Sequence, residues 1–71
     1  MSLWTMFIKN PVVIYIERGE EEAVEIFKDF FGENFSDDFI WCETGEPPIK
    51  GSKKTTIILG IEEINQWIKK Q

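Results

Sequence analysis

The chain has 71 residues, a net charge of −5, one cysteine and no histidine. A chain this short forms one small domain, which buries only about 60% of the surface of the unfolded chain. The lone cysteine excludes an internal disulfide and favours a reducing compartment, and the composition predicts neither a metal nor another cofactor. No apolar run approaches the ~20 residues that cross a membrane, and the start lacks the features of a signal peptide. We therefore expect one soluble, cytoplasmic domain over residues 1–71, with residues 1–10 as a possible extended arm.

The charges are unevenly distributed along the chain. Residues 17–46 hold eleven acidic and two basic residues, whereas residues 47–71 hold five lysines and two glutamates. Nucleic-acid contacts need a basic face, so this acidity argues against direct binding of nucleic acid. The sequence predicts a protein partner instead, and a homo-oligomer is expected.

The most continuous apolar run, residues 11–16, predicts a central strand of a sheet. Both of its faces are apolar, and its β-branched residues favour an extended backbone. Residues 3–9 also look extended, with Trp4 and Phe7 on opposite faces. They form either an additional strand or a lead-in to the central one. A tight hairpin is not expected here, because Pro11 would occupy the second central position, where proline is disfavoured in a type I turn.

Two amphipathic helices are predicted, one at residues 20–31 and one from residue 61 to about residue 70. The first has three glutamates in its first turn, where carboxylates meet the positive end of the helix dipole, and Gly32 follows as a left-handed cap. Ile14, Phe27, Phe30 and Ile64 are expected to be buried together in the core.

Two further strands are predicted at residues 39–44 and 53–59, with a loop at residues 45–52 between them. The order β-α-β-β-α, with a possible extra N-terminal strand, predicts an α+β two-layer sandwich: a three- to four-stranded mixed sheet with two helices on one face. The β-α-β unit predicts that strands 11–16 and 39–44 form a parallel pair. The loop predicts that strands 39–44 and 53–59 pair antiparallel. The opposite sheet face retains apolar residues, and we expect the N-terminal arm or a second copy to cover part of it.

Cys42 is the only thiol, and the chain offers no histidine to act as its base. It lies mid-strand between Trp41 and Glu43, where a buried, inert thiol is expected. Residues 12–15, followed by a helix, resemble the first strand and helix of thioredoxin-like proteins. The C-x-x-C of those proteins is absent, since residues 16–20 read Ile-Glu-Arg-Gly-Glu. A small enzyme or thiol redox protein is therefore the most distant alternative.

Two kinds of residue are candidates for protein interaction. Acidic residues recur every four positions on the outer face of the first helix, where they either keep the protein soluble or form a docking surface for a basic protein. Aromatic residues that a small core leaves over are typical of interface hot spots. The candidates are Trp4, Phe7, Glu21, Glu22, Glu25, Asp29 and Trp67.

These observations predict a small acidic protein-binding domain without enzymatic activity, which associates with itself. The alternative is an acidic decoy or inhibitor that occupies a nucleic-acid-binding site of a partner protein. A decoy requires one contiguous acidic surface from which the lysines are absent.

Overall fold

The computed structural model describes residues 3–45 and 56–69. Their elements are β1 (Trp4–Lys9), β2 (Val12–Ile16), α1 (Glu20–Phe31), α2 (Glu33–Ser36), β3 (Ile40–Thr44), β4 (Thr56–Leu59) and α3 (Ile61–Lys69). The α+β class is confirmed, and the arm is an additional strand, so the order is β-β-α-β-β-α apart from the single helical turn α2. Residues 46–52 of the loop predicted at 45–52 and the first residues of the strand predicted at 53–59 lie outside the described part of the chain.

The four strands form one mixed sheet in the order β3-β1-β2-β4. β1 pairs antiparallel with both β2 and β3, and β2 pairs in parallel with β4. The prediction that residues 11–16 lie inside the sheet is confirmed. The two predicted pairings are wrong, because β1 is inserted between β2 and β3, which leaves β3 and β4 at opposite edges. The parallel partner of β2 is therefore β4.

β1 and β2 form a tight hairpin, contrary to the sequence prediction. Lys9 pairs with Val12, so Asn10 and Pro11 are the two central residues of the turn. The peptide bond between them is cis. A cis proline at the second central position is characteristic of a type VI turn. The argument from type I turns therefore does not apply here.

Both long helices cover the same face of the sheet. Ala23 and Phe27 of α1 and Ile64 of α3 share one buried cluster with Phe7 and Ile14 of the central strands. The rings of Phe7 and Phe27 stack with their centroids 4.3 Å apart. Three of the four predicted core residues are confirmed. Phe30 differs: it is half-buried and stacks on Trp67 of α3, because it lies at the side of α1 that faces the other helix.

The second face of the sheet, which we call the open face, carries no helix of the described chain. Strand pairing places side chains directly opposite each other on a common face. Met6 pairs with Tyr15 of β2 and with Cys42 of β3, and Tyr15 pairs with Ile58 of β4, so these four residues share the open face. The predicted covering by the N-terminal arm is wrong, because the arm is β1 itself.

Candidate functional site

A groove runs between α1 and the edge strand β3. It consists of three adjoining depressions that share Glu20, the largest of about 520 Å³, and all three are open to solvent. The walls come from the outer side of α1, and Trp41 of β3 contributes to the apolar floor. We define the edge groove by its principal lining residues: Glu20, Glu21, Glu22, Val24, Glu25, Ile40, Trp41 and Glu43.

β3 borders the groove because it lies at the end of the strand order. Its described pairing is with β1 alone. Ile40 is 68% exposed and Trp41 is 42% exposed, and the first four residues of the strand are all exposed. A strand in this position presents a row of backbone N–H and C=O groups to solvent.

Two hydrogen bonds fix the helix to the edge strand. The backbone N–H of Glu20 donates to Oε2 of Glu43 at 3.0 Å. The indole Nε1–H of Trp41 donates to Oε2 of Glu20 at 2.9 Å. Gly19 precedes the helix and has no side chain to cap it, so the carboxylate of Glu43 takes over that role from the neighbouring strand. These two hydrogen bonds therefore hold α1 and β3, the two sides of the groove, in a fixed position relative to each other.

The first turn of α3, beside the other edge strand β4, is also capped by glutamate side chains. The N–H of Ile61 donates to Oε1 of Glu17, and the N–H of Gly60 donates to Oε1 of Glu63, both at 3.0 Å. Glu17 directly follows the carboxyl end of β2, and Glu43 is the next-to-last residue of β3, so both capping glutamates lie at carboxyl ends of strands. The carboxyl ends of β2, β3 and β4 thus meet the positive ends of both helix dipoles, which favours carboxylates at this end of the sheet.

The lining of the edge groove is acidic over an apolar floor. Five of its residues are glutamates, and none of the described residues that line it is a lysine or an arginine. Val24 and Trp41 supply apolar surface between these carboxylates. Within residues 3–45 and 56–69, no group of three or more His, Cys, Asp or Glu side chains is placed to hold a metal ion. The groove is suited to contacts with a basic and partly apolar ligand.

Cys42 is exposed, and the prediction of a buried thiol is wrong. The prediction rested on the usual burial of free cysteines. Cys42 instead lies at the middle of the edge strand, on the open face opposite Met6. Its side chain therefore points away from the edge groove.

The predicted interaction residues are divided among three places. Glu21, Glu22 and Glu25 line the edge groove, and Asp29 is exposed one turn further along α1. Trp4 is 8% exposed and Phe7 is fully buried, so these two side chains present almost no area to a partner. Trp67 is half-buried against Phe30, with ring centroids 4.4 Å apart. The structure thus brings together three of the acids and separates them from the three aromatic residues.

Sequence reasoning did not identify Glu20, Trp41 and Glu43 as parts of one site. Glu20 was visible as a helix-start carboxylate. The roles of Trp41 and Glu43 depend on β3 being an edge strand beside α1, and the order of strands is not encoded in any local pattern. The one available signal was that the strand predicted at residues 39–44 contains no lysine or proline to guard an edge.

No helix among the described residues has the length and apolar character that crossing a membrane requires. Comparison with protein-family models, with curated proteins and with solved structures gives no match.

Proposed function

We propose that this chain is a small non-enzymatic protein-binding domain that associates with a second copy of itself. The observation that carries the proposal is the apolar surface left at both edges of the open face. Ile40 of β3 is 68% exposed and Ile58 of β4 is 37% exposed. Exposed apolar patches on small domains mark interaction surfaces.

The size of the open face predicts a weak association. Four strands about 4.8 Å apart and five residues long, at about 3.3 Å per residue, cover roughly 320 Å². Two such faces in contact bury at most about 640 Å² in flat projection, below the ~1,200 Å² of a stable specific interface. Trp4 and Tyr15, which lie on the two inner strands, are only 8% and 7% exposed, so their contact with a partner would bury little further area. We therefore expect a dimer that dissociates on dilution.

Sedimentation velocity over a dilution series tests the proposal. The double variant Ile40→Thr, Ile58→Thr should shift the dissociation to higher concentration, because it removes apolar area from both edges of the open face. Ile68→Thr is the matched control, since Ile68 is 52% exposed but lies on α3. A parent chain that stays monomeric at every concentration would refute self-association. A dimer weakened equally by Ile68→Thr would place the contact elsewhere.

A cytoplasmic location fits this role. An exposed thiol such as Cys42 stays reduced in the cytosol, whereas in an oxidising compartment it forms intermolecular disulfides. Localisation of the tagged chain in its native cell tests the location.

The second candidate function is an acidic decoy for a nucleic-acid-binding site. It is supported by the gathering of glutamates at the end of the sheet where both long helices begin. Lys9, Lys28 and Lys69 lie away from that end, and Arg18 is its one basic residue within the described ranges. A decoy must displace nucleic acid from its partner. Competition between this chain and labelled DNA or RNA for basic proteins recovered from the native organism tests this function. Failure to displace either nucleic acid from any of them excludes it.

A further inference from the structure

We infer that the edge groove accepts an extended, basic segment of a partner protein, which adds to the sheet as a fifth strand beside β3. The inference rests on the proposed protein-binding role, but it uses the backbone edge of β3 and the acidic groove beside it. Ile40 borders both this groove and the open face. The inference does not require self-association.

The first argument is the state of the strand edge. Natural edge strands are guarded by lysine, proline, a bulge or extreme shortness. β3 is five residues long, reads Ile-Trp-Cys-Glu-Thr, and pairs with β1 without a break in register. Among residues 3–45 and 56–69 its only strand partner is β1, so within this part of the chain it offers a regular backbone edge. Adding an extended segment to such an edge is a common mode of peptide recognition.

The second argument is the charge beside that edge. An added strand lies about 4.8 Å beyond β3, and its alternate side chains project onto the face that carries α1. These side chains meet the acidic wall formed by Glu20, Glu21 and Glu25. Lysine or arginine at alternate positions of the added strand can form ion pairs with these carboxylates. The intervening side chains of the added strand lie on the open face beside Ile40 and Cys42. The matching pattern is thus basic and apolar in alternation.

The acidic wall also decides against a second copy at this edge. Two copies joined through their β3 strands about a two-fold axis would place both α1 helices on the same face of the extended sheet. The acidic walls, including Glu21 and Glu25 of each copy, would then face each other across the new junction. Like charges in such an arrangement repel, whereas a basic segment is attracted.

The test is a titration of the full chain with a labelled nonapeptide of alternating lysine and valine, followed by backbone amide NMR. Two control peptides share its composition and charge. One has the lysines and valines in separate blocks, and the other has N-methyl groups at alternate amides, which removes backbone hydrogen bonds along one edge. We expect the alternating peptide to bind at least tenfold more tightly than either control. It should also protect from exchange those amides of residues 40–44 that face away from β1.

Two charge-reversal variants locate the site. Glu25→Lys should weaken binding of the alternating peptide at least fivefold, because Glu25 lines the edge groove. Glu62→Lys changes the net charge equally, but Glu62 lies on α3, which follows β4 at the other edge of the sheet. This variant should leave the affinity within twofold.

Four outcomes would overturn the inference: no binding of the alternating peptide, equal binding of the three peptides, equal weakening by both variants, or protection of residues 40–44 by a second copy in the free protein. A chain that dimerises but does not bind the peptide refutes this inference alone. A chain that binds the peptide as a monomer at all concentrations refutes self-association alone.

Discussion

Replacing Phe27 by alanine should remove a large part of the stability of this domain. Phe27 is 2% exposed, stacks on Phe7 at 4.3 Å and meets the edge of Phe39 at a centroid distance of 5.0 Å. Transfer of the ring to water costs about 1.5–3 kcal/mol, and the cavity left among the other rings raises the total to about 3–5 kcal/mol. A chain of 71 residues has roughly 4–10 kcal/mol of stability in total.

Thermal and urea unfolding followed by circular dichroism measures the loss. For a domain of this size, 1 kcal/mol lowers Tm by about 4–8 °C, so Phe27→Ala should lower it by more than about 12 °C. Phe30→Ala is the control, because Phe30 is only half-buried and stacks on Trp67 outside the central cluster. We expect it to cost about 1–2 kcal/mol. A Phe27→Ala variant that melts within a few degrees of the parent, or loses less than Phe30→Ala, would refute this account of the core.

Three further changes test other contacts. Glu43→Ala removes the carboxylate that caps α1 and should cost about 1 kcal/mol in urea unfolding, whereas an unchanged midpoint would mean that the cap contributes nothing. Gly60→Ala should destabilise the chain, because its Cβ would lie 3.0 Å and 3.3 Å from two capping carboxylates, while Gly45→Ala meets no atom within 4 Å and should change the midpoint little. Cys42 should react with a thiol reagent in the native state at a rate near that of the unfolded chain, and strong native protection would contradict its exposed position.

Local elements of this fold could be predicted from the sequence, but their lateral arrangement could not. α1 begins at Glu20 and ends at Phe31 as predicted, because the acidic first turn, the apolar periodicity and Gly32 are all local signals. Gly32 has φ of 89°, in the left-handed region, and its N–H donates to the carbonyl of Lys28 at 2.7 Å. Such signals are contained within a few residues of the element that they define.

The predictions that were wrong depend on the order of the strands in the sheet, which is set by contacts between residues far apart in the chain. The insertion of β1 between β2 and β3 changed three predictions together: the parallel partner of β2, the partner of β3 and the exposure of Cys42. For the edge groove, the acids of α1 could be predicted from their spacing, since Glu21 and Glu25 are one turn apart. The contribution of Trp41 depends on which strand lies under that turn, and only the tertiary fold determines it.

The position of β1 has a consequence for how this protein can be handled and how it forms. β1 is hydrogen-bonded on both sides, to β2 and to β3, so it is an inner strand of the sheet. Deletion of residues 1–8 would remove most of this strand, and we expect the truncated chain to be unfolded. During synthesis the hairpin of β1 and β2 can close as soon as residue 16 has emerged, because its contacts are local. We expect β3 to add beside β1 and β4 to add beside β2 only later, because both strands follow the hairpin in the chain.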